Sequence, residues 1–128
     1  MRYMMMVKAN ADSEAGRMPP AELMDAIAKH SAEMVNAGVL LEAGGLLPSS
    51  QGARVNVGGG TTMVTDGPFT EAKELIAGYA ILRASSREEA IALGRQYMQL
   101  HADVLRPQYE GELEIRPLME MGPSRQQS

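Results

Sequence analysis

The sequence predicts an α+β fold, one antiparallel sheet with helices gathered on a single side, and three observations predict it. Arg2–Lys8 and Glu74–Leu82 carry apolar residues on both of their alternating faces, as central strands covered on both sides do. Two segments with helical apolar spacing, one opened by Pro19-Pro20 and one by Ser85-Ser86, alternate with the strand-like runs. The triplet Gly58-Gly59-Gly60 lies between two β-rich runs, Ala53–Val57 and Thr61–Thr65, and signals a hairpin.

In chain order, Arg2–Lys8 is the first strand, with Tyr3, Met5 and Val7 on one face and Met4 and Met6 on the other. Residues 9–17 are small and polar and read as a loop. A helix follows Met18-Pro19-Pro20, because proline has no N–H to lose in a first turn. Leu23, Ile27, Met34 and Val35 form its apolar stripe, His30 and Glu33 lie near its edge, and Gly38 is its left-handed cap. Val39–Ala43 is a short strand broken by Gly44-Gly45 and Pro48. The hairpin comes next; its glycines do not lead into a helix and lack the Gly-Lys-Ser/Thr ending of a phosphate loop.

Asp66-Gly67-Pro68 then forms a tight polar turn, and residues 70–73 a polar connection into the Glu74–Leu82 strand. Gly78 within that strand marks a bulge or a close backbone approach. Ser85 or Ser86 caps the second helix, with Glu88 or Glu89 completing a capping box, and the helix runs to about Leu100. Asp103–Glu110 is a connection, and Glu112–Met119 a last strand whose Pro117 marks an edge position or the end of its pairing. Residues 1–120 form one domain, and the polar residues 121–128 read as a disordered tail.

Strand, helix, strands, helix, strand is the order of a ferredoxin-like sandwich, here with an extra β-hairpin. Helices on one side leave the other sheet face bare, yet its residues are apolar. The simplest cover is a second copy, so a homodimer with sheet packed on sheet is expected.

Composition removes several classes of function. Net charge is −4, which speaks against nucleic acid and anionic membrane surfaces as partners. No Cys is present, so disulfides, thiolate catalysis and zinc-thiolate sites are excluded, and a cytoplasmic location fits. The apolar run at the N-terminus is too short for a membrane span. Among the 45% apolar residues, the 11 Met are unusual, and Met fills irregular gaps or lines adaptable surfaces.

Asp66-Gly67-Pro68-Phe69, Glu71, Lys73-Glu74-Leu75-Ile76 and Gly78-Tyr79 together resemble the signature of the DGPF proteins, a branch of the YCII-related family. Residues 37–41 with Gly45-Leu46 and Pro48 are similar to that family's helix-to-strand segment. Leu100-His101 and residues 111–118 resemble its C-terminal end. The resemblance implies a dimeric α+β barrel. It also implies relatives that act as lyases and isomerases on small organic acids and lactones without a cofactor. A His and Asp pair is implied as well, its His falling closest to Ile27, one turn before His30 of this chain. A setting beside extracytoplasmic-function sigma factors is a further implication, and it raises the alternative of a non-catalytic ligand-binding or regulatory module.

The candidate acid–base residues are Asp66 and His101. Asp66 can hydrogen-bond its own turn, or act as a base at the mouth of the barrel, since burial beside apolar strands activates a carboxylate. His101, read as closing the second helix, is either a dipole-stabilised cap or the natural proton carrier at neutral pH. Lys73 and Glu74 are candidates to orient a small anionic ligand, with Tyr79 and Arg83 as further contacts, although such groups equally form solvated clusters and strand edges. The His and carboxylate spacings match no metal motif, so neither metal nor cofactor is expected.

Overall fold

The computed structural model describes residues 1–105 and 107–120, so the predicted tail lies outside the described residues. A four-stranded antiparallel sheet holds the domain together. Its strands are β1 (Arg2–Lys8), β2 (Leu40–Gly45), β5 (Ile76–Arg83) and β6 (Leu113–Pro117), in spatial order β2-β5-β1-β6. Three helices, α1 (Ala11–Glu14), α2 (Ala21–Asn36) and α3 (Arg87–Leu105), and the hairpin β3 (Ala53–Gly58) and β4 (Thr61–Asp66) complete it. The strand order and antiparallel pairing are those expected of a ferredoxin-like α+β fold, with the hairpin inserted between β2 and β5.

The two strands with apolar residues on both faces are the two central ones. In β1, Tyr3 and Met5 are buried toward the helices, while Met4 and Met6 are half-buried on the opposite face. Opposite them, Leu82 and Ala80 of β5 pair with Tyr3 and Met5, and Ile81 and Tyr79 pair with Met4 and Met6. Gly78 lies so close to the Gly44 carbonyl that a Cβ there would come within 3.2 Å of it, which is the close approach read from the sequence. β6 is an edge strand, as Pro117 suggested, and Pro117 pairs with Tyr3.

Helix boundaries follow cap chemistry. Pro20 precedes the first turn of α2, and the helix ends in a Schellman arrangement. Gly38, at φ +75°, donates to the Val35 carbonyl, and the Val39 N–H donates to Met34. At the start of α3, Ser86 Oγ accepts from the Glu89 N–H at 3.1 Å, and Glu89 reaches back to the Ser85 N–H at 3.0 Å.

Three readings are corrected. Residues 9–17 are not all loop: α1 forms there because Asn10 and Ser13 cap each other reciprocally, both bonds at 2.9 Å. α3 continues a turn beyond Leu100, to Leu105, so His101 sits inside the helix and not at its end. Val35, expected on the apolar stripe of α2, is exposed, whereas Leu23 is buried.

The packed core is small and lies at one end. Tyr3, Ala84 and Ala90 are its buried centre, with Leu93 and Ile115 against them. Gly94 lets α3 sit down on β6, since a Cβ there would come within 2.8 Å of Ile115 and 2.9 Å of Leu113. At the other end the layers separate. α2 packs on α3 and on β2, and an open cavity remains between these helices and the sheet.

The hairpin stands clear of this body. Gly59 and Gly60 both have positive φ, as a two-residue turn matched to strand twist requires. Every residue of β3 and β4 is exposed, Val55, Val57, Met63 and Val64 among them.

Candidate functional site

The cavity has a volume of about 910 Å³, within the size range of small-molecule sites. Each surrounding element contributes apolar wall. The sheet gives Met5, Val7, Leu40 and Leu82, and α2 gives Leu23, Ile27 and Met34. From α3 come Leu93 and Leu105, with Leu113 closing the far side.

One patch of this wall is polar and aromatic. Tyr97 and His101 are four residues apart on α3, so they fall on one helical face, and their rings meet edge to face at 4.8 Å. Tyr109 returns from beyond the helix to lie 5.5 Å from the His101 ring, and His30 of α2 lies 6.3 Å from Tyr97. All four residues line the cavity.

His101 is only 7% exposed, and its Nδ1 lies 3.0 Å from the Tyr97 carbonyl. A carbonyl can only accept, so Nδ1 carries the hydrogen, which leaves Nε2 as the nitrogen that can exchange a proton. Among the described residues no buried side-chain nitrogen lacks a partner and Nε2 makes no hydrogen bond, so Nε2 reaches accessible space. Burial raises the Tyr97 phenol, helped by Tyr109 beside it, and burial likewise raises Tyr109. Both phenols therefore stay neutral donors.

The residues singled out from the sequence divide between this cavity and the surface. His101 lines the cavity; Tyr79 borders it from β5, but pairs with Met6 on the sheet face away from the helices. The Tyr79 hydroxyl donates to Glu42 at 2.8 Å, and that bond, then the Glu42 charge, then burial, raise its pKa. Asp66, Lys73, Glu74 and Arg83 are exposed and are not among the lining residues. Asp66 is the last residue of the hairpin, paired with Ala53, so the structure does not bring it together with His101. No group of three or more His, Asp or Glu suited to a metal occurs among the described residues.

The turn after Asp66 makes a clasp. The Gly67 N–H donates to the Gly52 carbonyl at 3.0 Å, and a Cβ on Gly67 would overlap the Ser49 carbonyl, so only glycine fits. The Gly67-Pro68 peptide is cis. The Phe69 N–H donates to Ser49 Oγ at 3.0 Å, and Ser49 in turn donates through its N–H and its hydroxyl to the Glu14 carboxylate. The Arg54 guanidinium covers the Phe69 ring at 3.8 Å. The motif thus ties the root of the hairpin, through Ser49, to Glu14 at the end of α1.

Sequence reasoning missed Tyr97, Tyr109, Ser49 and Glu14. The four-residue interval from Tyr97 to His101 was a usable signal, since it puts both on one helical face. Tyr109 lies in an irregular segment and Ser49 in a single 3-10 turn, and no periodicity marks either.

Among known proteins, the YCII-related domain matches this chain over residues 1–121. An uncharacterised protein of Rhizobium meliloti (strain 1021) is 32% identical over 84 residues, 66% of this chain and 63% of that protein. The aligned segment thus spans less than two thirds of that relative.

Proposed function

The chain belongs to the YCII-related family, and from that premise we propose that it binds a small organic molecule in the cavity between helices and sheet and performs acid–base chemistry on it. The reaction is of lyase or isomerase type on a small organic acid or lactone, with no cofactor. The observation that carries this reading is His101, buried in an apolar wall with its Nδ1 committed to the Tyr97 carbonyl. That bond fixes the ring and leaves Nε2 to take a proton from bound substrate and return it. Tyr97 and Tyr109 are the neutral donors available to a developing oxyanion.

We propose further that the chain forms a homodimer, the expectation drawn from its uncovered apolar sheet face, and two features support it. The sheet face away from the helices presents Met4, Met6, Tyr79 and Ile81, and the hairpin leaves Val55, Val57, Met63 and Val64 exposed. Asp66 then acts in the assembly or at the hairpin root, and a second copy is the route by which it would approach a cavity.

The test is exchange of substrate α-protons for deuterium across a panel of small lactones and acids. The wild-type protein is expected to catalyse exchange for at least one member, and His101→Gln to slow it by about 10²–10⁴. Unchanged exchange in a folded His101→Gln protein would reject the assignment.

A second reading is favoured by the placement of Asp66, Lys73, Glu74 and Arg83 away from the cavity wall, which leaves His101 without any of these as a relay. On this reading the chain is a cytoplasmic ligand-binding or regulatory module linked to an extracytoplasmic-function sigma factor. Ligands then bind without exchange, and pull-downs recover the sigma factor.

A further inference from the structure

We infer that the clasp joining the Asp66-Gly67-Pro68-Phe69 turn to Glu14 positions the mouth of the cavity, and so sets how fast a ligand enters and leaves. Ser49 is the positioning residue. The inference rests on the reading of the cavity as a ligand site and adds a control on access to it.

The mouth is built from the segment between β1 and α2. Asn10, Asp12, Ser13, Arg17, Met18 and Pro19 all line the cavity. Met18 is 74% exposed, and the Arg17 and Asp12 side chains are 71% and 69% exposed, so this segment borders the cavity where it opens to solvent. Both ends of the strap are anchored. The Ala9 N–H donates to the Leu75 carbonyl at 2.9 Å, and buried Leu23 seats the first turn of α2. Within the strap, Asn10 bonds Ser13 and Arg17 pairs with Asp12. Those bonds shape the strap but do not tie it to the body.

Glu14 makes the tie. Its carboxylate accepts from the Ser49 N–H at 2.9 Å and from the Ser49 hydroxyl. Ser49 is itself held from the far side. Its Oγ accepts from the Phe69 N–H at 3.0 Å, and its carbonyl accepts from the Gly52 N–H at 2.9 Å. The Gly52 carbonyl in turn accepts from the Gly67 N–H. Gly16 comes up beside the same bonds, since a Cβ there would stand 3.7 Å from the Pro48 ring. The turn at residues 49–52 is thus fixed to the hairpin root, and the strap rests on it near its midpoint. Hydrogen bonds to a carboxylate are stronger than neutral ones, so the strap is held. The bonds are only partly buried, so it can open by local release while α2 and the sheet stay folded.

The experiment compares the full wild-type chain with Ser49→Ala. Amide hydrogen exchange is followed at residues 11–18. Methyl NMR of Ile27 and Leu93 follows titration with 2-naphthoate, an acid, and with coumarin, a lactone, and the line shapes give entry and exit rates. Ser49→Ala is expected to speed exchange at residues 11–18 by about tenfold, beyond any change at Tyr3 and Ala90. It is expected to speed probe entry and exit each by about fivefold, with a smaller change in Kd. Faster amide exchange with an unchanged entry rate would overturn the inference and leave the cavity a ligand site beside a merely structural clasp. Unchanged exchange at residues 11–18 would overturn the tie itself. Failure of both probes to shift the cavity methyls of the wild type would overturn the inference and the ligand-site reading together. Should Ser49→Ala not fold, Glu14→Gln, which keeps an acceptor but loses the charge, takes its place with the same outcomes.

Discussion

Glu14 shows how much a single side chain can hold. Its carboxylate takes both donors of Ser49, and these hydrogen bonds lower its pKa below the ordinary value despite a small opposing effect of burial. A depressed carboxylate stabilises the fold above its ordinary pKa, and that contribution is lost as pH falls through the folded value. The stability difference between wild type and Glu14→Gln is therefore expected at neutral pH and should vanish on acidification, as urea melts across that range would show. Amide exchange at Ser49 and Phe69 should quicken in parallel. The sequence marked the Asp66-Gly67-Pro68-Phe69 run as special but not why. Its carboxylate drew the eye as a base, whereas the packing is done by a glycine without room for a Cβ and by the Phe69 N–H. Such roles depend on Ser49 and Glu14, distant in the chain, and no local pattern announces them.

Among the elements, α3 is the one on which the site depends. It seats the Tyr97–His101 pair and rests on β6 through the gap at Gly94. Leucine at position 94 would drive its side chain into Ile115 and Leu113. Gly94→Leu is expected to cost about 1–3 kcal/mol, read from the midpoint of urea unfolding. It should also alter ligand affinity by tilting the helix. The start of α3 was legible because Ser85, Ser86 and Glu89 form a capping pattern. Its end was not, because residues 100–105 contain no breaker, and the stop is signalled only by Pro107 beyond. That misplaced boundary made His101 look like a cap and hid its place on the cavity wall. The four-residue α1 has no periodicity to read, and only its Asn10–Ser13 capping marks it.

At the scale of the whole molecule, the strand order could be read because β1 and β5 are apolar on both faces and so belong in the middle. The cavity could not be read. An apolar pattern tells which face of a helix turns inward, not whether the layers close behind it. The proposed pairing of two sheets predicts a dimer by light scattering at micromolar concentration. Met6→Glu with Ile81→Glu on the open sheet face is expected to give a monomer, while a wild-type monomer would dismiss the assembly. The central place of β1 also bears on how the chain reaches its fold. Its neighbours on either side are residues 76–83 and 113–117, so β1 has both hydrogen-bonding edges unmet until those later segments are made. A ribosome-bound nascent chain stopped before Leu113 would hold a half-built sheet whose methionine-rich strand is open to chaperones or to another nascent copy.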